Sequence, residues 1–189
     1  MKKLKIILSL AGVAAIATHA NAQDSNTDNH TIGITIPVVA LVDIEPAASK
    51  TLTMPFTASS EAGSPLAAPA ANNTLWLNYS SIKSAVDQLR EVTVKVNPVT
   101  PGVNINVSAA TATGSGDGDL GTPFAGALTL TDQEQIIIDN IGSAYTGNGV
   151  NNGHQLTYTV TTGTGTAYAA LVGSNTPVVA TVTYTIADK

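Results

Sequence analysis

From Ile32 every even-numbered residue is apolar for seven steps: Ile32, Ile34, Ile36, Val38, Ala40, Val42 and Ile44. A helix with about 3.6 residues per turn scatters such a series around its axis, whereas a strand puts all of it on one face. The segment is therefore extended chain. The same period of two returns in Leu75, Leu77, Tyr79; in Val92, Val94, Val96; in Val103, Ile105, Val107; in Leu156, Tyr158, Val160; and in Val178, Ala180, Val182, Tyr184, Ile186. Between these positions stand mostly Thr, Asn and Lys, such as Thr93, Lys95, Asn104, Thr157 and Thr183. That pairing suits sheets with one face on a core and the other in water. Shorter runs at Leu52 to Phe56, Leu128 to Leu130 and Ile136 to Ile138 bring the expectation to about nine or ten strands, spaced as in two-sheet folds. Asn148-Gly149 and Asn152-Gly153 are turn dipeptides, and Gly114 to Gly121 reads as a flexible loop. Only Ser81 to Leu89 reads as a helical turn. The fold class expected is all-β, an immunoglobulin-like antiparallel β-sandwich.

The start of the chain has a different logic. Lys2, Lys3 and Lys5 precede an apolar stretch from Ile6 to Ile16, and Ala20-Asn21-Ala22 has the small-x-small pattern of a cleavage site. Residues 1–22 therefore read as a secretion signal peptide, too short for a membrane span and followed at once by Gln23, Asp24, Ser25 and Asn26. Residues 23–30 form a polar leader, and residues 31–189 a single β-sandwich domain. The expected location is secreted or cell-surface, reached through the periplasm, with no membrane span after cleavage. The chain has no Cys, so no disulfide, thiolate nucleophile or zinc-thiolate site is available to it.

Thirteen acidic residues face eight basic ones, for a net charge of -5, and loss of the three N-terminal lysines leaves only Lys50, Lys83, Arg90, Lys95 and Lys189. Such scattered cations do not build a stripe that tracks phosphates, so nucleic acid is not an expected partner. A search for chemistry is equally thin. His30 and His154 lack partners at metal-ligand spacing, and no nucleophile elbow, zinc-protease helix or phosphate loop occurs. His154 follows the turn glycine Gly153 and reads as a surface residue at the start of a strand. Asp24, Asn26 and Asp28 imitate the opening of a calcium loop, but Asn29 and Thr35 stand where it needs Gly and Glu. Asp117 and Asp119 are weak metal candidates, since Asp and Gly are also what a tight turn prefers. Asp132, Glu134 and Asp139 offer carboxylates but no facing pair. Trp76, opposite in phase to Leu75 and Leu77, reads as a core plug or as a platform for a sugar ring. Neither a catalytic residue nor a cofactor is expected, and the chain reads as non-enzymatic.

The stretch His30-Thr-Ile-Gly-Ile-Thr-Ile-Pro-Val-Val-Ala-Leu-Val-Asp-Ile44 breaks its alternation with one Pro, on the odd face. After it come Leu75-Trp-Leu-Asn-Tyr-Ser80, Glu91-Val-Thr-Val-Lys-Val96, Ala144-Tyr-Thr-Gly147, Gln155-Leu-Thr-Tyr-Thr-Val160 and Ala180-Thr-Val-Thr-Tyr-Thr-Ile186. In this order the segments resemble bacterial fimbrial (pilin) subunits of the chaperone-usher type, in particular the colonisation-factor branch. The resemblance implies a sandwich short of one strand. It also implies a donor strand at residues 31–36, whose Ile32, Ile34 and Ile36 would fill the groove of another copy. Implied partners are other copies or related subunits, a periplasmic chaperone and an outer-membrane usher. The residues themselves leave two alternatives open. Ile32 to Ile44 also reads as the bent first strand of a complete sandwich. The chain would then be a self-contained secreted or cell-surface module binding a glycan or protein through loops such as Gly114 to Gly121 and Ala144 to His154.

Overall fold

Alternating β-branched and aromatic residues build eleven strands in the computed structural model, which describes residues 26–86, 89–174 and 176–189. The expected export segment, residues 1–22, lies outside the described residues. The chain falls into two units, Met1–Thr35 and Ile36–Lys189, and every strand belongs to the second. In chain order the strands are β1 (Val39–Glu45), β2 (Asn72–Ile82), β3 (Arg90–Asn97), β4 (Val103–Ala109), β5 (Asp117–Gly118), β6 (Thr122–Pro123), β7 (Leu128–Thr129), β8 (Gln135–Ile141), β9 (Ala144–Tyr145), β10 (His154–Thr162) and β11 (Thr181–Asp188). All pairings are antiparallel. Among the described residues the only helix is a 3-10 turn, Tyr168–Ala170, and no helix is long and apolar enough to cross a membrane.

The strands form two sheets. In the first, the long strand β2 pairs with β1 along one side, while β10 and then β9 share its other side; β4 and β7 continue beyond β10, and β5 beyond β9. The second sheet runs β11-β3-β8-β6. One core draws on both sheets: Leu75, Leu77, Tyr79, Val107, Leu156 and Tyr158 from the first, Val92, Val94, Val96, Ile137, Ile138 and Ile141 from the second. Outside β8 these are the positions that the period of two places inward, and burying each aliphatic side chain contributes about 1.5 to 3 kcal/mol.

Several local expectations are corrected. Regular strand begins at Val39, after Pro37, and not at Ile32; the last strand begins at Thr181, not Val178. Leu52 to Phe56 keeps its alternation, with Leu52, Met54 and Phe56 half-buried, but belongs to no ladder. Ser81 and Ile82 end β2 instead of opening a helical turn. In β8 a register shift breaks the alternation: Ile137 and Ile138 are both buried while Ile136 is 40% exposed. Gly114 to Gly121 is no loose loop. It carries β5, and a side chain at Gly118, whose φ is +89°, would run into the Ser143 carbonyl. The glycines are there because this segment lies flat against β9.

Candidate functional site: an open flank between two edge strands

The core is not equally closed all round. Leu77, Val92, Val94 and Leu156 in the central strands have 0% exposure, whereas Val42 and Ile44 of β1 and Val182, Tyr184 and Ile186 of β11 are only partly buried against it. These five residues point inward by phase, so their partial exposure means that none of the described residues fully covers the core along this side. β1 pairs only with β2, and β11 only with β3. Their outer edges therefore carry backbone donors and acceptors with no ladder partner among the described residues.

The two strands border one slot. Val42, Asp43, Ile44, Lys50, Val182 and Tyr184 line a shallow cavity of about 170 Å³. At one end Arg90, 3% exposed, ties its walls together. Its Nε donates to Asp188 Oδ1 at 2.6 Å, and its Nη1 donates to the carbonyls of Val39 and, at 3.2 Å, Ile82. Val39 opens β1 and Asp188 closes β11, so the strands run in opposite directions along the slot. Inside, Tyr158 and Tyr184 share a hydroxyl contact of 2.6 Å, and burial pushes the Tyr158 hydroxyl up to about 12 and the Tyr184 hydroxyl well above its ordinary value. Near the open end, Lys50 bonds Asp43 at 2.7 Å and holds that carboxyl below its usual range.

Of the residues singled out in the sequence, Ile32, Ile34 and Ile36 are 75%, 82% and 73% exposed. An apolar row of this length in water is unusual for a folded monomer. Trp76 is half-buried on the outer face of β2, between Glu45 and Gln155 of the neighbouring strands, and takes no part in the core. Asp117 is exposed and accepts the Gly118 N–H at 2.7 Å, and Asp119 is exposed too. No three His, Cys, Asp or Glu side chains converge among the described residues. The carboxylates of Glu134 and Asp139 each face a lysine, Lys95 at 3.0 Å and Lys189 at 2.7 Å.

His154 is the largest departure. It is not at the surface but fully buried, stacked on Tyr79 with ring centroids 5.6 Å apart. Its Nδ1–H donates to the Ala110 carbonyl at 2.8 Å, and its Nε2 lies 2.9 Å from the Tyr79 hydroxyl, which also reaches the Leu120 carbonyl. Burial holds the imidazole below its ordinary pKa and, with the charge of Asp119, raises the Tyr79 hydroxyl. The signal was present in the sequence: His154 is in phase with Leu156, Tyr158 and Val160. Comparison of the chain with protein-family models, with curated proteins and with solved structures finds no match.

Proposed function

We propose that the protein is a non-enzymatic structural subunit that polymerises by strand exchange, the open flank of one copy receiving residues 31–36 of the next, as in bacterial surface fibres. The observation that carries this reading is a match of needs: an inward row left half-covered between two unpaired edges, and an exposed row of isoleucines at the same period. The topology supports an immunoglobulin-like sandwich. The order β1-β2-β10-β4 corresponds to one sheet of that fold and β11-β3 to the other, and the place beside β11 where a further strand belongs is empty among the described residues. Thr31 to Ile36, extended, spans about 20 Å, and the seven residues of β1 span about 23 Å. The occupant adds a ladder to both edges while Ile32, Ile34 and Ile36 cover the core. Burying three Ile side chains contributes at most about 5 to 9 kcal/mol. Because donor and acceptor surfaces differ, the contact does not close on itself and gives fibres. Export through a periplasm, with a chaperone to guard the flank and an usher to assemble the copies, belongs to the same reading.

The chain has no Cys, so an engineered pair is unambiguous. Full-length protein carrying Ile34→Cys and Val182→Cys should give an oligomer ladder on a non-reducing gel. Ile34→Asp should abolish fibres and oligomers while leaving the thermal melt of the body unchanged. A wild-type chain that stays monomeric at high concentration, with no intermolecular cross-link, overturns the proposal in favour of a self-contained secreted module.

A further inference from the structure

The two Asn-Gly turn dipeptides, Asn148-Gly149 and Asn152-Gly153, both lie in the stretch between β9 and β10, and the fold treats them in opposite ways. Asn152 is a hub. Its Oδ1 accepts the Ser115 N–H at 2.9 Å and the Ser115 hydroxyl at 3.1 Å, and its Nδ2 donates to the Asn148 main-chain carbonyl at 2.8 Å. Gly153 is buried, its N–H donates to the Thr113 carbonyl at 2.9 Å, and a Cβ there would run into the Leu77 carbonyl. Side chain and following amide are therefore both held in place.

At Asn148 neither is held. Asn148 is exposed, and Gly149, whose φ is +86°, has nothing within 4 Å of where a Cβ would stand. Among the described residues no hydrogen bond restrains the Asn148 side-chain amide or the Gly149 N–H. The acidic counterpart, Asp117-Gly118, is clamped like Asn152: the Gly118 N–H already donates to Asp117 Oδ1 at 2.7 Å, and Gly118 pairs with Ala144 of β9.

We propose that Asn148 is a modification site, deamidating spontaneously in the folded chain to aspartate and isoaspartate, whereas the fold keeps Asn152 unreactive. The Gly149 nitrogen gives its proton to solvent base and attacks Asn148 Cγ. The new N–Cγ bond closes a five-membered succinimide, the Cγ–Nδ2 bond breaks, and Nδ2 takes up a proton and leaves as ammonia. Water then opens the ring: cleavage of the bond from the nitrogen to Cγ gives aspartate, and cleavage of the bond from the nitrogen to the main-chain carbonyl carbon gives isoaspartate. No electrons are exchanged, and water is the only co-reactant. A glycine after the asparagine leaves Cγ uncrowded and the backbone free to turn toward it. The Asn148 main-chain oxygen remains an acceptor for Asn152 Nδ2 in either product, as a carbonyl in aspartate and as a carboxylate in isoaspartate, so the tether to Asn152 survives. Each event adds a negative charge to a chain that already carries -5. It requires no second copy, so the inference stands whether or not the chain polymerises.

The test follows full-length protein over days in mildly alkaline buffer, native or unfolded in urea, with peptides covering Gly147 to His154 sequenced by tandem mass spectrometry. In the native chain product should accumulate at Asn148 at least about tenfold faster than at Asn152, where several hydrogen bonds must break before Cγ and the Gly153 nitrogen can meet. In urea the two rates should converge. Asn148→Gln should remove the native product, because its longer side chain closes the corresponding ring far more slowly. Three outcomes overturn the proposal: matching rates at the two sites in the native chain, product at Asn152 ahead of Asn148, or a native chain in which neither residue reacts although both react in urea.

Discussion

The side of the body around β10 and β8 and the side around β1 and β11 are made from the same residue types, yet they end in different states. On the first side Leu156, Ile137, Ile138 and Ile141 are sealed at 0 to 1% exposure within the one core that both sheets share. On the second, Val42, Ile44, Val182, Tyr184 and Ile186 hold the same inward phase but are only partly covered. Residue choice therefore does not distinguish a finished core from an unfinished one. What distinguishes them is whether a further strand lies outside, and among the described residues β1 and β11 each have a ladder partner on one side only.

This contrast can be broken by paired substitutions. Leu156→Ala should destabilise the isolated protein by about 2 to 5 kcal/mol in urea unfolding, because it opens a cavity in a sealed region. Val182→Ala should cost about 1 kcal/mol or less in the monomer, since its side chain is already partly in water. Equal losses at the two sites would mean that the flank is as closed as the centre.

A smaller effect comes from His154. The unfolded imidazole takes up a proton near pH 6.5 and the folded one only at lower pH. The unfolded state thus binds more protons in that window, and stability falls as the pH is lowered from about 6.5 until the folded imidazole also protonates. His154→Gln should flatten the urea midpoint over this range. A second loss, below the ordinary carboxylate range, should persist in the variant, because Lys50 and Lys189 keep the Asp43 and Asp139 carboxyls ionised in the folded chain. The smallest effect is expected at Lys95 and Glu134, an exposed pair outside the slot. Glu134→Gln should shift stability by about 0.5 kcal/mol or less, and high salt should erase the difference.

Much of the strand layout was legible from period alone. Leu75, Leu77 and Tyr79, Val92, Val94 and Val96, and Leu156, Tyr158 and Val160 are inward as their phase requires. Misreadings arose where something other than phase decided. At β8 a register shift turned Ile137 inward beside Ile138, which no alternation rule anticipates. At Gly114 to Gly121 glycine meant close approach of two backbones instead of looseness. At His154 the polarity of the residue outweighed its phase, although buried partners in Tyr79 and Ala110 satisfy both ring nitrogens. A groove was only implied by the resemblance, and the walls of the slot needed the pairing of β1 and β11 to be known. The row Leu41, Ser80 and Tyr145 was not legible: these residues are far apart in the chain, and only the register of three strands makes them neighbours.

Lys50, Arg90, Lys95 and Lys189 each already neutralise a carboxylate of their own chain. Half of the eight basic residues are thus spent on the chain's own carboxylates, and the molecule as a whole carries a net charge of -5. Neighbours brought close together in a filament would push one another apart at low ionic strength. Dissolved salt, by shortening the reach of that repulsion to about 8 Å at physiological strength, would act as the silent mortar between them.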